Sequence, residues 1–234
     1  YTTWQTVVVG LVLHWVCISW GIGMGYHRLH THRAYTVPKA IDYLFAVCGA
    51  MTLQGGPIFW SATHRIHHQR SDKPGGPHTP RDGRWWSHIL WTIFGEEMHS
   101  NTEVMGKYAP DLMKDRFYRV LNSWHWVPLV VLGLVLLAVG GWPWVLWGIF
   151  LRVTVGLHCT WLVNSATHLW GKRRFQTSDD SKNNWWVALL TFGEGWHNNH
   201  HHYQSSTRQG FRWWEIDVSF YVLSAMSWFR LVWD

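Results

Sequence analysis

Three groups of histidines carry most of the chemistry this chain could do. His27-Arg-Leu-His-Thr-His32 reads H-x4-H, His64-Arg-Ile-His67-His68 reads H-x2-H-H, and His197-Asn-Asn-His200-His201 repeats H-x2-H-H. On a helix, positions i, i+3 and i+4 share one face, so each H-x2-H-H presents three imidazoles toward one point. Adjacent histidines sit about 100° apart around the axis and can reach two different metals. The i, i+5 pair of the first group is splayed further and also suits two metals. His168 supplies a ninth candidate, while His202 is the spare, because shifting the last group by one would put Asn198 at its first ligand position. His14, His30, His78, His88, His99, His125 and His158 read as hydrogen-bonded or surface residues. One such motif in a chain with 17 histidines is weak ground; two copies together with H-x4-H are strong.

Nine neutral imidazoles with no obvious carboxylate suit redox-active transition metals. Zinc hydrolases use fewer ligands and keep a positioned Glu, and H-E-x-x-H is absent here. The chemistry expected is O2 activation at two irons against an unactivated C–H bond, with zinc a possible substitute in overproduced protein. Cys17, Cys48 and Cys159 are odd in number and form no C-x-x-C, which argues against a disulfide framework or an iron–sulfur cluster. Gly21-Ile-Gly-Met-Gly25 lacks the x-x-G spacing of a nucleotide loop.

The elements that must position these histidines read as membrane helices. Hydrophobic residues make up 47% of the 234 and charged residues 15%, more apolar than a soluble domain. The 21 Trp favour membrane–water interfaces. The net charge of +6 suits anionic headgroups or an acidic electron carrier, and its scatter argues against nucleic acid. The expectation is one all-α, integral-membrane helical bundle with spans at residues 6–25, 127–141 and 143–163, the last two forming a hairpin broken at Gly140-Gly141-Trp142-Pro143. If all histidine groups share one site they lie on one side of the bilayer. Residues 40–60 then cannot cross and form an interfacial or re-entrant helix. Residues 64–126 and 164–234 make a cytosolic-side cap. Of the 20 Lys and Arg only Arg152 falls in a span and the rest lie inside, as the positive-inside rule expects. Residues 216–229 are amphipathic and either cross or lie on the membrane. A start at Tyr1 without a charged n-region reads as a fragment, not a signal peptide.

At these residues the chain resembles the integral-membrane acyl desaturases of the stearoyl-CoA and bacterial acyl-lipid Δ9 type. The matching strings are Gly25-Tyr-His-Arg-Leu-His-Thr-His32, His64-Arg-Ile-His-His68, Trp85-Trp-Ser-His-Ile-Leu-Trp91, Asn164-Ser-Ala-Thr-His168 and Gly193-Glu-Gly-Trp-His-Asn-Asn-His-His201. The resemblance implies a cis double bond placed in a saturated long-chain acyl group, carried on CoA or lipid. It implies O2 as co-substrate and two electrons from an external donor such as ferredoxin or cytochrome b5. It implies the ligands His27, His32, His64, His67, His68, His168, His197, His200 and His201 on two irons, with Asn164 holding a metal-bound water. It places Gln54, Trp60 and Thr160 at the bend of the acyl tunnel and Trp161 on its wall. Counting back from His27, Ser19 and Trp15 share one helical face at a spacing that helps cap the family's tunnel, so both are expected at its closed end. The family has four spans, so one more is expected before Tyr1, and the bacterial branch implies an inner membrane with the histidines on its cytoplasmic side. Where the family has an acidic residue before the Pro-His of the second-group loop, this chain has Gly75-Gly76-Pro77-His78. Rival readings are a histidine-ligated di-iron hydroxylase of fatty acids or alkanes, and a membrane metal transporter or sensor, which would need more polar spans.

Overall fold

A computed structural model describes residues 2–95 and 101–233, so His99 lies outside the described residues. Helices build the fold, and β-pairing among the described residues is confined to isolated bridges such as Lys172 to Asn183 and Asn183 to Trp196. Helix α1 runs from Trp4 to Thr31. Thr3 and Thr6 cap its start reciprocally, satisfying two otherwise orphan N–H groups. From Val16 to Thr31 its winding widens to the π type, with i→i+5 hydrogen bonds.

Residues 40–60 do not form one helix. Helix α2 covers Lys39–Ala50 and helix α3 covers Pro57–Gln69. The break falls where the sequence has Gln54-Gly55-Gly56-Pro57. Gly55 takes φ +91°, a left-handed conformation glycine tolerates, and Pro57 opens α3 where a missing N–H costs nothing. Helix α2 lies close against α1: a Cβ on Gly21 would meet the Gly49 backbone nitrogen at 2.4 Å.

The apolar hairpin comprises α4, Val127–Val145, which runs on through a π-helical stretch at Leu146–Leu151 into α5, Arg152–Leu169. Gly141, with φ 68° and ψ −166°, interrupts it where the Gly-Gly-Trp-Pro string predicts a turn. Small residues let the three long helices touch: a Cβ on Gly148 would meet Leu136 at 2.6 Å and Leu13 at 3.0 Å. Trp4–Thr31 and Val127–Leu169 are long and apolar enough to cross a membrane, and their outer faces expose Leu11, Val131, Leu134, Val139 and Phe150. Arg152 is buried among them, donating from Nε to the Gly148 carbonyl and from Nη1 to the Met51 carbonyl at 2.6 Å. The charge thus caps the loop after α2 instead of facing outward.

Above this layer, short helices at Thr102–Tyr108, Pro110–Met113 and Arg116–Ser123 close an apolar core with Ile22, Tyr26, Ile58, Met105, Leu112 and Leu121. Three further helices complete the cap: α6, Trp185–Leu190; α7, His197–His202; and α8, Val218–Trp228. The 11 residues of α8 extend about 16 Å, half a hydrocarbon layer.

Candidate metal centre

The nine candidate imidazoles gather into two groups. His27, His32, His64, His68 and His200 form one, and His67, His168, His197 and His201 the other; within each, the candidate ligand atoms lie within 4.8 Å of one another. Helix α1 supplies His27 and, at its C-cap, His32; α3 supplies three rings, α5 one and α7 three. The neighbours His67 and His68 go to different groups, and so do His200 and His201, as their angular separation on a helix demands.

The first histidine box departs from the spacing argument. An i, i+5 pair on an α-helix is splayed by about 140° and would serve two metals, yet His27 and His32 stand in one group with ring centroids 4.9 Å apart. The π winding is the reason. The His32 N–H bonds the His27 carbonyl, an i→i+5 closure that brings positions five apart back to one face.

Inside each group the nitrogens are spaced for a shared cation. Nε2 of His200 lies 3.0 Å from Nε2 of both His27 and His68, and His68 is 3.0 Å from His64. In the second group His168 and His197 are 3.1 Å apart and His67 and His201 3.2 Å. Metal–nitrogen bonds of about 2.1 Å at right angles put neighbouring nitrogens about 3.0 Å apart. Nε2 of His32 is buried with no hydrogen-bond partner among the described residues, as an atom aimed at a cation would be. Burial lowers the His64, His67, His68, His197 and His200 pKa values well below the ordinary imidazole value, so the rings are neutral and their lone pairs free to coordinate. The donor set therefore fits two transition-metal ions.

Carboxylates, for which the histidine spacing carries no signal, stand behind the rings. The Nδ1–H of His168 donates to Asp72 at 2.8 Å, that of His201 to Asp179 at 2.7 Å, and that of His27 to Glu194. Each contact fixes the ring orientation and leaves Nε2 as the lone-pair nitrogen. Burial pushes the Asp72 and Asp179 carboxyls up, but hydrogen bonds from His168 and His201 outweigh it and hold both well below the usual range. Burial likewise raises Glu194, but attraction to His27 and to the Arg28 guanidinium holds it at about 2. Arg28 is itself fully buried, bridging Glu194 at 2.8 Å and Asp217 at 3.0 Å. Gly193 permits this closeness: a Cβ there would meet Asp217 at 2.3 Å.

A cavity of about 340 Å³ opens beside the histidines, lined by Leu53, Gln54, Phe59, Trp60, Trp161 and Asn164 together with His64, His78 and Thr160. A polar chain crosses its wall. Trp60 Nε1 donates to Gln54 Oε1 at 3.2 Å, and Gln54 Nε2 donates to Thr160 Oγ1 at 3.0 Å. Trp60 also stacks on His64 with centroids 5.0 Å apart. Asn164 is half-buried on α5, one turn before His168.

Trp15 and Ser19 are not among the residues lining this cavity. Ser19 is fully buried with Oγ 2.9 Å from Ser219 Oγ on α8, and Trp15 packs edge-on against Trp20. His202 is exposed and stacks on Phe175, outside both groups. His78, read as an ordinary histidine, is buried between His67 and Trp91 on the cavity wall; burial pushes it down to about 3.

Comparison with known proteins bears on the whole of this arrangement. The family model described as fatty acid desaturase matches residues 2–227. The sn-1 stearoyl-lipid 9-desaturase of Anabaena variabilis is 45% identical over 96% of this chain and 82% of its own length. The sn-2 palmitoyl-lipid 9-desaturase of Nostoc sp. (strain 36) is 43% identical over 97% and 80%. The acyl-CoA C20 Delta5-desaturase of Anemone leveillei is 39% identical over 99% and 74%.

Proposed function

The chain belongs to the fatty acid desaturase family, and from that premise we propose that it places a cis double bond at the ninth carbon of a saturated long-chain acyl group carried on a membrane lipid. The observation that carries this reading is the pairing of five and four imidazoles beside a cavity walled by Trp60, Trp161, Phe59 and Leu53. In this reading His27, His32, His64, His68 and His200 hold one iron, and His67, His168, His197 and His201 the other. The chemistry supplied there with metals bound is reduction of O2, with two electrons from a ferredoxin- or cytochrome b5-like carrier, coupled to loss of two hydrogens from adjacent methylenes.

The chain's own residues do the rest. The Trp60, Trp161 and Phe59 rings bury methylenes and exclude water, each buried CH2 contributing about 0.8 kcal/mol. The Trp60–Gln54–Thr160 chain ties the α3 wall to the α5 wall, so the acyl chain must bend around it and one C–C bond is held near the imidazoles. Asn164 offers an uncharged amide to a water at the four-imidazole side. Asp72, Asp179 and Glu194 keep the Nδ1 protons of His168, His201 and His27 and so fix the coordinating face of each ring. Trp4–Thr31 and the two arms of Val127–Leu169 cross the bilayer, with the histidines on the cytoplasmic side.

The test is expression in a host lacking Δ9 activity, followed by fatty-acid methyl ester analysis of separated lipid classes. A 9-cis monoene appearing first in membrane lipid is expected. A monoene appearing first in the acyl-CoA pool would change the carrier, and a hydroxylated product would overturn desaturation.

A further inference from the structure

A second cleft has no part in the acyl cavity. It has a volume of about 810 Å³ and is walled by Trp170, Trp185, Trp186, Trp196 and Trp214. Lys172, Arg173, Arg174 and Arg212 line it against a single carboxylate, Glu215, which Arg174 already engages. Arg173 is spent on the Thr177 and Asp179 carbonyls. The Lys172 ammonium and the Arg212 guanidinium are exposed and make no hydrogen bond or ion pair among the described residues; Arg212 lies over the Trp214 ring at 4.9 Å. The cleft thus presents two uncommitted cations in an aromatic frame.

Its position narrows the occupant. Trp170 directly follows α5, so the cleft begins where that apolar helix ends. From its other wall α6 leads away, with Trp185, Leu189 and Leu190 exposed. The Leu190 carbonyl lies 3.3 Å from Nε2 of His14, and Phe192 packs on the same ring. His14 stands on α1 thirteen residues before His27, roughly 15–20 Å along the helix. Helix α6 therefore descends from the cleft to the level of the apolar helices. Cations with exposed Trp sit at headgroup depth, and an apolar ramp runs below them.

We propose that this cleft binds an anionic phospholipid of the surrounding bilayer, its phosphate held by Lys172 and Arg212 and its acyl chains lying along Trp185, Leu189 and Leu190 on α6. The proposal rests on the membrane placement of α1, α4 and α5 proposed above. An acidic protein would match the cations, but a cytosolic partner would leave the ramp bare, and lipid satisfies both.

The test uses the full chain, purified and embedded in nanodiscs of phosphatidylcholine alone or doped with phosphatidylglycerol, with retained lipid counted by native mass spectrometry. The wild type should retain phosphatidylglycerol over phosphatidylcholine. The Lys172→Gln/Arg212→Gln variant should lose about tenfold to thirtyfold of that preference. The control Lys107→Gln, on the short helix Thr102–Tyr108, should keep it. Both substituted residues are exposed, so an unchanged melting temperature is expected and marks the variant as folded. Embedded wild type without selectivity, or a double variant that keeps it, would overturn the cleft assignment alone. Loss of salt-sensitive binding of a plant-type ferredoxin by the double variant, with lipid retention intact, would reassign the cleft to an acidic protein. Recovery of the wild type from the aqueous phase would instead overturn the membrane premise, and the proposal with it.

Discussion

Among the described residues, only His27 in the five-imidazole group is backed by a carboxylate, whereas in the four-imidazole group both His168 and His201 are. The supporting carboxylates of the second group are themselves held. Asp72 accepts from the Asp180 N–H and the Thr79 hydroxyl at 2.8 Å each, and Asp179 accepts from the Ser181 N–H at 3.1 Å. All four rings there are buried, while His32, His64 and His68 in the other group are only partly so. Nδ1 of His68 and of His200 has no partner among the described residues. One group gains by number of rings and the other by fixing two of its four rings. A site with fewer ligands depends more on each of them and on what orients them.

The largest expected effect tests that difference directly. His201→Ala leaves three imidazoles in its group and should abolish desaturation while bound metal drops from two ions per chain to about one. His32→Ala leaves four in the other group and should retain part of its second metal. Equal losses by elemental analysis would erase the distinction. Next in size, Asp179→Asn should weaken metal retention on the four-imidazole side by roughly 10- to 100-fold. A chelator should then release metal in two separated phases, and a single unchanged phase would show that Asp179 orients nothing of consequence. Asn164→Ala should keep both metals and lower turnover about tenfold; wild-type turnover would remove Asn164 from the site.

A smaller effect concerns what assembles the five-imidazole group. Arg65, between the first two ligands of α3, donates to the His30 and Thr31 carbonyls at the end of α1 and to Asp111 at 2.7 Å. Burial raises the Asp111 pKa, but hydrogen bonds from Arg65 and Arg33 outweigh it and hold it at about 2. Its folded value is therefore depressed below its unfolded value of about 3.9. The clasp contributes fully above that value and is lost as pH falls through about 2. Asp111→Asn should flatten the acid limb of the melting-temperature profile between these limits; an unchanged limb would reject the clasp. Smallest of all, His202→Ala should keep both metals and most activity, since its ring stacks on Phe175 outside either group.

Much of this chemistry is legible without a structure, because it depends on residue type and local spacing. H-x2-H-H on a helix separates adjacent rings by angle alone, and the two copies divide between the groups accordingly. The Gly-Gly-Trp-Pro string marks the interruption seen at Gly141, and Gln54-Gly55-Gly56-Pro57 contains the signals that part α2 from α3. Reading residues 40–60 as one helix gave too little weight to them.

Other features were decided only by the tertiary fold. The π winding of α1 brings His27 and His32 together, where α periodicity predicts two different faces. The partners of the imidazoles come from far along the chain: Asp72 is 96 residues from His168, and Glu194 is 167 from His27. Local spacing determines which side chains share a helical face. The angle at which helices meet, and which carboxylate then lies within hydrogen-bond reach of a ring, depends on packing between segments whose separation in sequence carries no geometric information.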